Sequence, residues 1–463
     1  MNVLIITIDS LRADHVSFLG YSKKTTPYLD KLSKKGLVFT NAISCGPDTP
    51  TSIYPMITSS YVLEYYASRY RKSLKTSTDE FEEMKKVILD IYKYENTLAR
   101  ILRKEGYKTA AFHSNPYLSG YYNFGKDFDY FYDSLEKRKY SIKQKIKNFV
   151  ERNKILYNVS WILYKNIYSK IVISVSKKRY KIPYERAENI NSKALNWLKH
   201  NKSKFFLWIH YMDVHFPYLP PEEFCSVDLS PTEIIDLNNK MLKNPKDLDE
   251  EEIKILLNLY DDEIRYLDTQ ISFLIDSLEE LGLTEETLIV ITADHGDEFG
   301  DHGDFAHHNA KLYDELIRVP LMILNTEYSG RISEVVSLID LAPTILDLIG
   351  IPIPKKFQGR SLIPIIEGDK RGGVISETIK KGKRVISYRT NEWKFIWDNY
   401  RDRKELYNVM KDPKEKENVY GENEISKLLE QKVEEHLIKQ KTRIASLKRK
   451  YLNSKIKMLK TKF

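Results

Sequence analysis

The sequence predicts an α/β protein, and three observations carry that reading. Val3–Ile8 and Leu288–Ile291 are short, almost wholly apolar and β-branched, the composition of strands buried on both faces. Stretches of helical period with recognisable stops alternate with such runs. The runs also break off at clustered polar residues, Asp9-Ser10 and Asp294-His295-Gly296. Ligands of open α/β sheets gather at the carboxyl ends of the strands.

Taken in order, Val3–Ile8 is a strand with Asp9 at its end, and Thr26–Leu32 opens a helix that stops near Gly36. Leu37–Thr40 is a second strand. Ser44–Ser52 crowds small hydroxyl residues and Pro50 ahead of a helix over Ile53–Ser60. A hydroxyl there would meet free backbone N–H groups that can hold an oxyanion, though a plain N-cap uses the same residues. Glu95–Glu105 is an amphipathic helix closed by Gly106, and Thr109–Phe112 a strand ending in His113-Ser114-Asn115. Glu136–Arg186 is a basic, aromatic insertion, expected to be helical. Phe205–Ile209 is a strand ending in His210-Tyr211-Met212-Asp213-Val214-His215, which delivers Asp213 and His215, and residues 244–281 carry a long helix. The strand Leu288–Ile291 leads to Asp294-His295-Gly296 and a loop with Asp297, Glu298, His302, Asp304, His307 and His308. Leu321–Leu324 is another strand, Ser337–Gly350 is helical, and strands near Val374–Ser376 and Arg384–Trp397 precede a basic helix from Ile425 onward. An Asp–His pair flanked by glycines offers hard oxygen, borderline nitrogen and a bendable backbone, which suits a divalent cation.

Composition bounds the alternatives. With 463 residues, 42% hydrophobic and 30% charged, the chain suits one large folded domain plus a smaller appendage. Two cysteines, Cys45 and Cys225, exclude a disulfide framework and a cysteine-based zinc site. No leader pattern precedes Val3, and no apolar run reaches the ~18 residues of a membrane span, so the expected location is cytoplasmic. The net charge is +9, and residues 441–463 carry nine basic side chains and no acidic one, so the rest of the chain is close to neutral. This tail is expected to be a solvated basic helix, with peripheral membrane contact through basic segments left open and nucleic acid not expected as a partner.

The motifs now on the page resemble those of the sulfatase family, within the alkaline-phosphatase-like superfamily. The similarity runs from Ile5–Arg12 through Gly106–Ala110, Asp294-His295-Gly296, Leu312-Tyr313-Asp314-Glu315, Ile317–Pro320 and Asp340–Thr344 to Glu405-Leu406-Tyr407 and Asp412-Pro413. It implies a large, mostly parallel central sheet flanked by helices over residues 1–370, interrupted by the insertion at about 136–186. A smaller α+β domain with an antiparallel sheet follows at 371–440, and the basic tail at 441–463.

The resemblance also implies a metal-dependent hydrolase of sulfuric esters, or of chemically similar phosphate mono- and diesters, acting through a metal-bound nucleophile. One divalent cation (Ca, Mg, Mn or Zn, with a second left open over Asp213, His215 and His308) is implied at Asp9, Ser10, Thr49, Asp294 and His295. His215 and His308 match residues that contact the ester anion or the leaving group. The substrate class is an anionic ester of a small molecule, glycan or lipid. A head-group transferase on the same site and a non-catalytic binding protein are the alternatives. At the nucleophile the chain departs from the family pattern Cys/Ser-x-Pro-Ser/Ala-Arg: counting back from Thr58-Ser59-Ser60-Tyr61 places Thr49 there, with Cys45 and Ser52 nearby. Threonine cannot become formylglycine, because oxidation of a secondary alcohol gives a ketone. Superfamily members that transfer phosphoryl groups use an unmodified Thr or Ser.

Overall fold

The computed structural model describes residues 1–63, 65, 80–134, 182–307, 310–380 and 383–460. Its centre is β1 (Asn2–Ile8), buried along its whole length. In chain order β2 (Leu37–Ile43), β3 (Lys108–His113), β4 (Tyr130–Asp133), β5 (Phe205–Tyr211) and β6 (Thr287–Ala293) follow. β7 (Glu298–Phe299) and β8 (Phe305–Ala306) form a two-stranded ribbon. β9 (Arg318–Leu324), β10 (Gly330–Ile332) and β11 (Val336–Ser337) complete a nine-stranded sheet in the order β10-β2-β9-β6-β1-β5-β3-β4, with β11 also paired to β2. The sheet is mostly parallel, as expected. β9, the expected strand at Leu321–Leu324, is the exception and lies antiparallel to both β2 and β6.

Helices Pro27–Leu32, Ala187–His200 and Glu250–Glu280 pack together, and helix Thr49–Thr58 packs on Leu338–Leu348. The long helix begins with a capping box, in which the Asp249 side chain accepts from the Glu252 amide and Glu252 answers on the Asp249 amide. Its buried face carries Leu256, Leu259, Leu267, Ile271, Leu274 and Leu278. Full burial of such side chains contributes about 1.5–3 kcal/mol each, so this face holds the helix on the sheet far more firmly than its exposed charges do.

A second, antiparallel sheet follows: β12 (Val374–Lys380), β13 (Lys383–Arg389), β14 (Trp393–Asp398) and β15 (Arg403–Asn408), in that order. It is joined to the first by the expected Leu312–Glu315 motif. Asp314 receives Arg389 at 3.0 Å and the fully buried Lys394 at 2.9 Å, and Lys394 also meets Glu415 at 2.8 Å. The Tyr313 hydroxyl donates to Glu405. β12 also docks on the chain just ahead of Thr49, where the Glu377 amide donates to the Cys45 carbonyl at 2.7 Å.

Several expectations are revised here. The helix expected at Ile53–Ser60 begins at Thr49, because Asp48 caps it by accepting from the Thr51 amide at 2.9 Å. The basic helix expected from Ile425 onward is present as Glu424–Lys460, and its Leu429, Val433, Leu437 and Ile444 are buried. Helices Glu80–Tyr94, Ala187–His200 and Pro231–Lys243 stand where no helix is expected from the sequence. Most of the basic insertion lies outside the described residues. Among those described, no helix is long and apolar enough to cross a membrane.

Candidate active site

Strand register builds the site. Ile8 of β1 is level with Tyr211 of β5 and Ala293 of β6, so the next residues of β1 and β6, Asp9 and Asp294, emerge side by side. Backbone bonds continue the pairing one step past the strands, from the Asp9 amide to Tyr211 (2.9 Å) and from the Asp294 amide to Ile8 (3.2 Å). Ser10 then turns the chain with φ of 63°, a left-handed conformation that costs a residue with a Cβ. Its amide donates to Asp294 Oδ1 and its hydroxyl to Asp9 Oδ1, so Ser10 joins the cluster as a donor to both carboxylates. Tyr260 clamps this turn by donating to the Ser10 carbonyl and accepting from the Arg12 amide.

Thr49 is the first residue of its ten-residue helix. Its hydroxyl donates to Asp9 Oδ2 at 3.3 Å and accepts from the Asn115 amide at 3.2 Å, while Asn115 donates to the same Asp9 oxygen at 2.7 Å. The two other nucleophile candidates are turned elsewhere. Cys45 Sγ is buried against Ser337 at 3.7 Å, and burial pushes its thiol up to about 12. The Ser52 hydroxyl donates to the Thr49 carbonyl one helical turn back.

His295 Nε2 faces both carboxylates, 3.6 Å from Asp9 Oδ1 and 3.6 Å from Asp294 Oδ2. All three residues are fully buried, and Asp294 Oδ2 and His295 Nε2 have no hydrogen-bond partner among the described residues. Two carboxylates and an imidazole converging in the dry interior, with two ligand atoms left over, form a donor set that fits a divalent cation. The electrostatics agree. Burial alone would raise Asp9, but His215, His210 and His295 hold it well below its ordinary value. Burial and the charge of Asp9 raise Asp294. Burial would lower His295, yet Asp294 and Asp9 drive it up to about 9.

On the other side of the cluster His215 stacks on Phe216 and donates through Nδ1 to the Phe216 carbonyl, while burial lowers its pKa. His308 lies outside the described residues. Its neighbour His307 packs against His295 (ring centroids 4.4 Å) and His215 (5.1 Å), and its Nδ1 donates to Asp297 at 2.6 Å. Burial would raise Asp297, but His307 holds it below its ordinary value, and Tyr218 donates to its second oxygen.

Two residues expected near this edge are diverted. Asp213 Oδ1 accepts from the Ala187 amide at 3.2 Å and faces Arg186 at 3.6 Å, while His308, the third member of the set expected with Asp213 and His215, lies outside the described residues. His113 packs among Phe124, Phe131 and Trp208, and burial lowers it to about 3. A further acidic cluster, Glu298 with His302 and Glu315, already holds an ammonium: Lys311 Nζ lies 2.9 Å from Glu298 and 2.7 Å from Asp304.

Sequence reasoning passed over Asn115, His210 and His307. Asn115 follows a strand end, the one signal that would have found it. His210 follows the expected strand Phe205–Ile209 and carries the same signal. His307 was shadowed by its neighbour.

Residues 1–351 match the family model described as sulfatase, which spans most of the chain. The chain belongs to the sulfatase family. Residues 300–443 also match the model of the N-sulphoglucosamine sulphohydrolase C-terminal region, which takes in the second sheet. An arylsulfatase of Clostridium perfringens is 26% identical over 91% of this chain and 91% of its own length. Arylsulfatase K of Bos taurus is 23% identical over 93% of this chain and 81% of its own length. Among solved structures, the phosphonate monoester hydrolase of Agrobacterium radiobacter superposes with a TM-score of 0.68 at 18% identity, over 96% of this chain and 95% of that one. As a sulfatase-family protein the chain is an ester hydrolase, cleaving sulfuric esters or chemically similar phosphate esters.

Proposed function

We propose that this member hydrolyses a phosphoric or phosphonic ester, with unmodified Thr49 as the nucleophile. The supporting observation is the position of Thr49 Oγ1, on Asp9 and Asn115 at the mouth of the carboxylate pair, while Cys45 and Ser52 are engaged elsewhere. A hydrated formylglycine can expel its sulfate by breaking its own C–O bond. A threonine ester cannot, and must be released by water attacking the central atom, which is the chemistry of phosphoryl transfer through a simple alcohol.

Asp9, Asp294, His295 and Thr49 would hold the cation; the imidazole suits Zn²⁺, and the oxygen donors suit Mn²⁺, Mg²⁺ or Ca²⁺. When bound, it supplies positive charge that lowers the hydroxyl's pKa and offsets charge on the transferred group. The chain's own residues carry the rest. Thr49 Oγ1 forms the new bond to phosphorus as its proton passes toward Asp9 Oδ2, its hydrogen-bond acceptor. The ester oxygen leaves with a proton from His307 Nε2, whose ring is oriented by Asp297 through Nδ1. His215 faces the anionic oxygens. Water then attacks phosphorus and gives its proton to His307 Nε2, Thr49 Oγ1 leaves and takes back the proton held by Asp9, and the starting hydroxyl is restored.

The test compares 4-nitrophenyl sulfate, 4-nitrophenyl phosphate, bis(4-nitrophenyl) phosphate and a phenylphosphonate ester with Mn²⁺-loaded wild type, Thr49→Ser and Thr49→Val. The expected result is turnover of a phosphorus ester that Thr49→Ser retains and Thr49→Val lowers by ~10³-fold or more. Cleavage of the sulfate alone, undiminished in Thr49→Val, would sink the reading.

A further inference from the structure

We infer that His210 and Thr7 are positioning residues for Asp9, the last links of a one-way hydrogen-bond chain that begins at Trp208. The inference rests on the proposed cation site and adds residues to it that touch neither cation nor substrate.

The direction of the chain follows from what each group can do. Trp208 Nε1–H can only donate, and it donates to Thr7 Oγ1 at 3.0 Å. The Thr7 proton must then go elsewhere. His210 Nδ1 lies 2.8 Å away and the Ile209 carbonyl 3.4 Å, so the better acceptor is the imidazole. With Nδ1 accepting, the ring proton sits on Nε2, which faces Asp9 Oδ2 at 3.2 Å. The order Trp208 to Thr7 to His210 to Asp9 thus delivers an N–H to the carboxylate and selects the imidazole tautomer that can do so.

Strand register makes the arrangement obligatory. Thr7 of β1 is level with His210 of β5, and Ile5 with Trp208. Alternate residues share a sheet face, so Thr7 and Asp9 come from one strand and Trp208 and His210 from its neighbour. Thr7, Asp9 and His210 are fully buried and Trp208 is 1% exposed, so water cannot replace a lost partner. The consequence is a carboxylate gripped from several sides. Asp9 Oδ2 receives His210, Asn115 and Thr49, and Oδ1 receives Ser10 and faces His295. Outer partners of this kind typically change metal affinity by ~10–100-fold when removed.

The experiment is a Mn²⁺ titration followed by the EPR signal of the free ion, on wild type, Thr7→Val, His210→Leu, His210→Gln and the double variant Thr7→Val/His210→Leu. Thermal unfolding in EDTA reports whether each variant is folded. Thr7→Val and His210→Leu are expected to weaken Mn²⁺ binding ~10–100-fold. His210→Gln, whose amide can replace Nε2–H, is expected to restore most of the loss. Thr7→Val should cost little more in the His210→Leu background, since Thr7 acts through the imidazole. If His210→Leu does not fold, Thr7→Val and His210→Gln carry the test. Unchanged Mn²⁺ affinity in the single variants would overturn the inference, as would abolition by His210→Leu and His210→Gln alike, which would make His210 a ligand. A wild type that binds no Mn²⁺ would instead overturn the cation site itself.

Discussion

Asn115 is the residue on which the nucleophile's geometry turns. Its amide group spends one hydrogen bond on Asp9 and another on Thr49, so it sets the distance between the carboxylate and the hydroxyl. Asn115→Ala should lower kcat by ~10²-fold with a smaller change in KM, because it misplaces a reacting atom without removing it. Steady-state kinetics on the best nitrophenyl ester would check this, and an equal fall in Thr49→Val and Thr49→Val/Asn115→Ala would confirm that both act on one step. Asp9, Asp294 and His295 stand where strands end, and such positions are visible in a pattern of apolar runs, whereas Thr49 was reached by counting back from Thr58 against the family pattern. Asn115 also follows a strand end, but its meaning, like that of His307, lies in partners far along the chain.

At the scale of the element, the loop after β5 that carries His215 is held by a buried charge cluster. Arg186 donates to Glu263 at 2.6 Å and to the Leu219 carbonyl, and the Leu219 amide donates to Glu263 at 3.0 Å. One arginine faces two buried carboxylates. Burial, only partly offset by Arg186, raises Asp213 to about 6 and Glu263 to about 7. A carboxyl whose folded pKa lies above its unfolded value binds its proton more tightly when folded. Its stabilising contribution is therefore complete below about pH 4.5 and lost as pH rises through about 7 for Glu263. Glu263→Gln keeps the acceptor for Leu219 and removes the titration. The variant should show a flatter unfolding temperature between pH 4.5 and 7 than wild type, read by a series of thermal melts. A steeper dependence in the variant would refute the assignment.

Across the whole molecule, the C-terminal helix ties the end of the chain to its first half. Arg443 reaches Glu95 at 2.8 Å and the Ser60 hydroxyl at 3.1 Å, close to the end of the helix that begins at Thr49. His436 meets Glu377 at 3.0 Å, and Glu377 in turn accepts from the Leu63 amide. Glu95 is 1% exposed, so removing its arginine leaves a carboxylate in the interior with the Tyr65 hydroxyl and a distant Lys356. Arg443→Ala is expected to destabilise the protein by ~3 kcal/mol in urea unfolding, well beyond the loss of a surface ion pair. A change under ~0.5 kcal/mol would mean that the helix is an appendage.

By itself the sequence determined the fold class, the strands that form the core, and the residues standing at their ends, because burial and chain direction are written in local apolar patterns. It also held the motifs that place the chain in its family. Tertiary structure alone decided which of those end residues meet. Asp213 was drawn to Arg186 and His113 into an aromatic cluster, whereas His210, the residue level with His113 on the neighbouring strand, reached Asp9. Neighbours in sequence thus parted, and residues about two hundred positions apart joined, because a sheet brings strands together by register, and no local pattern records which strand lies beside which.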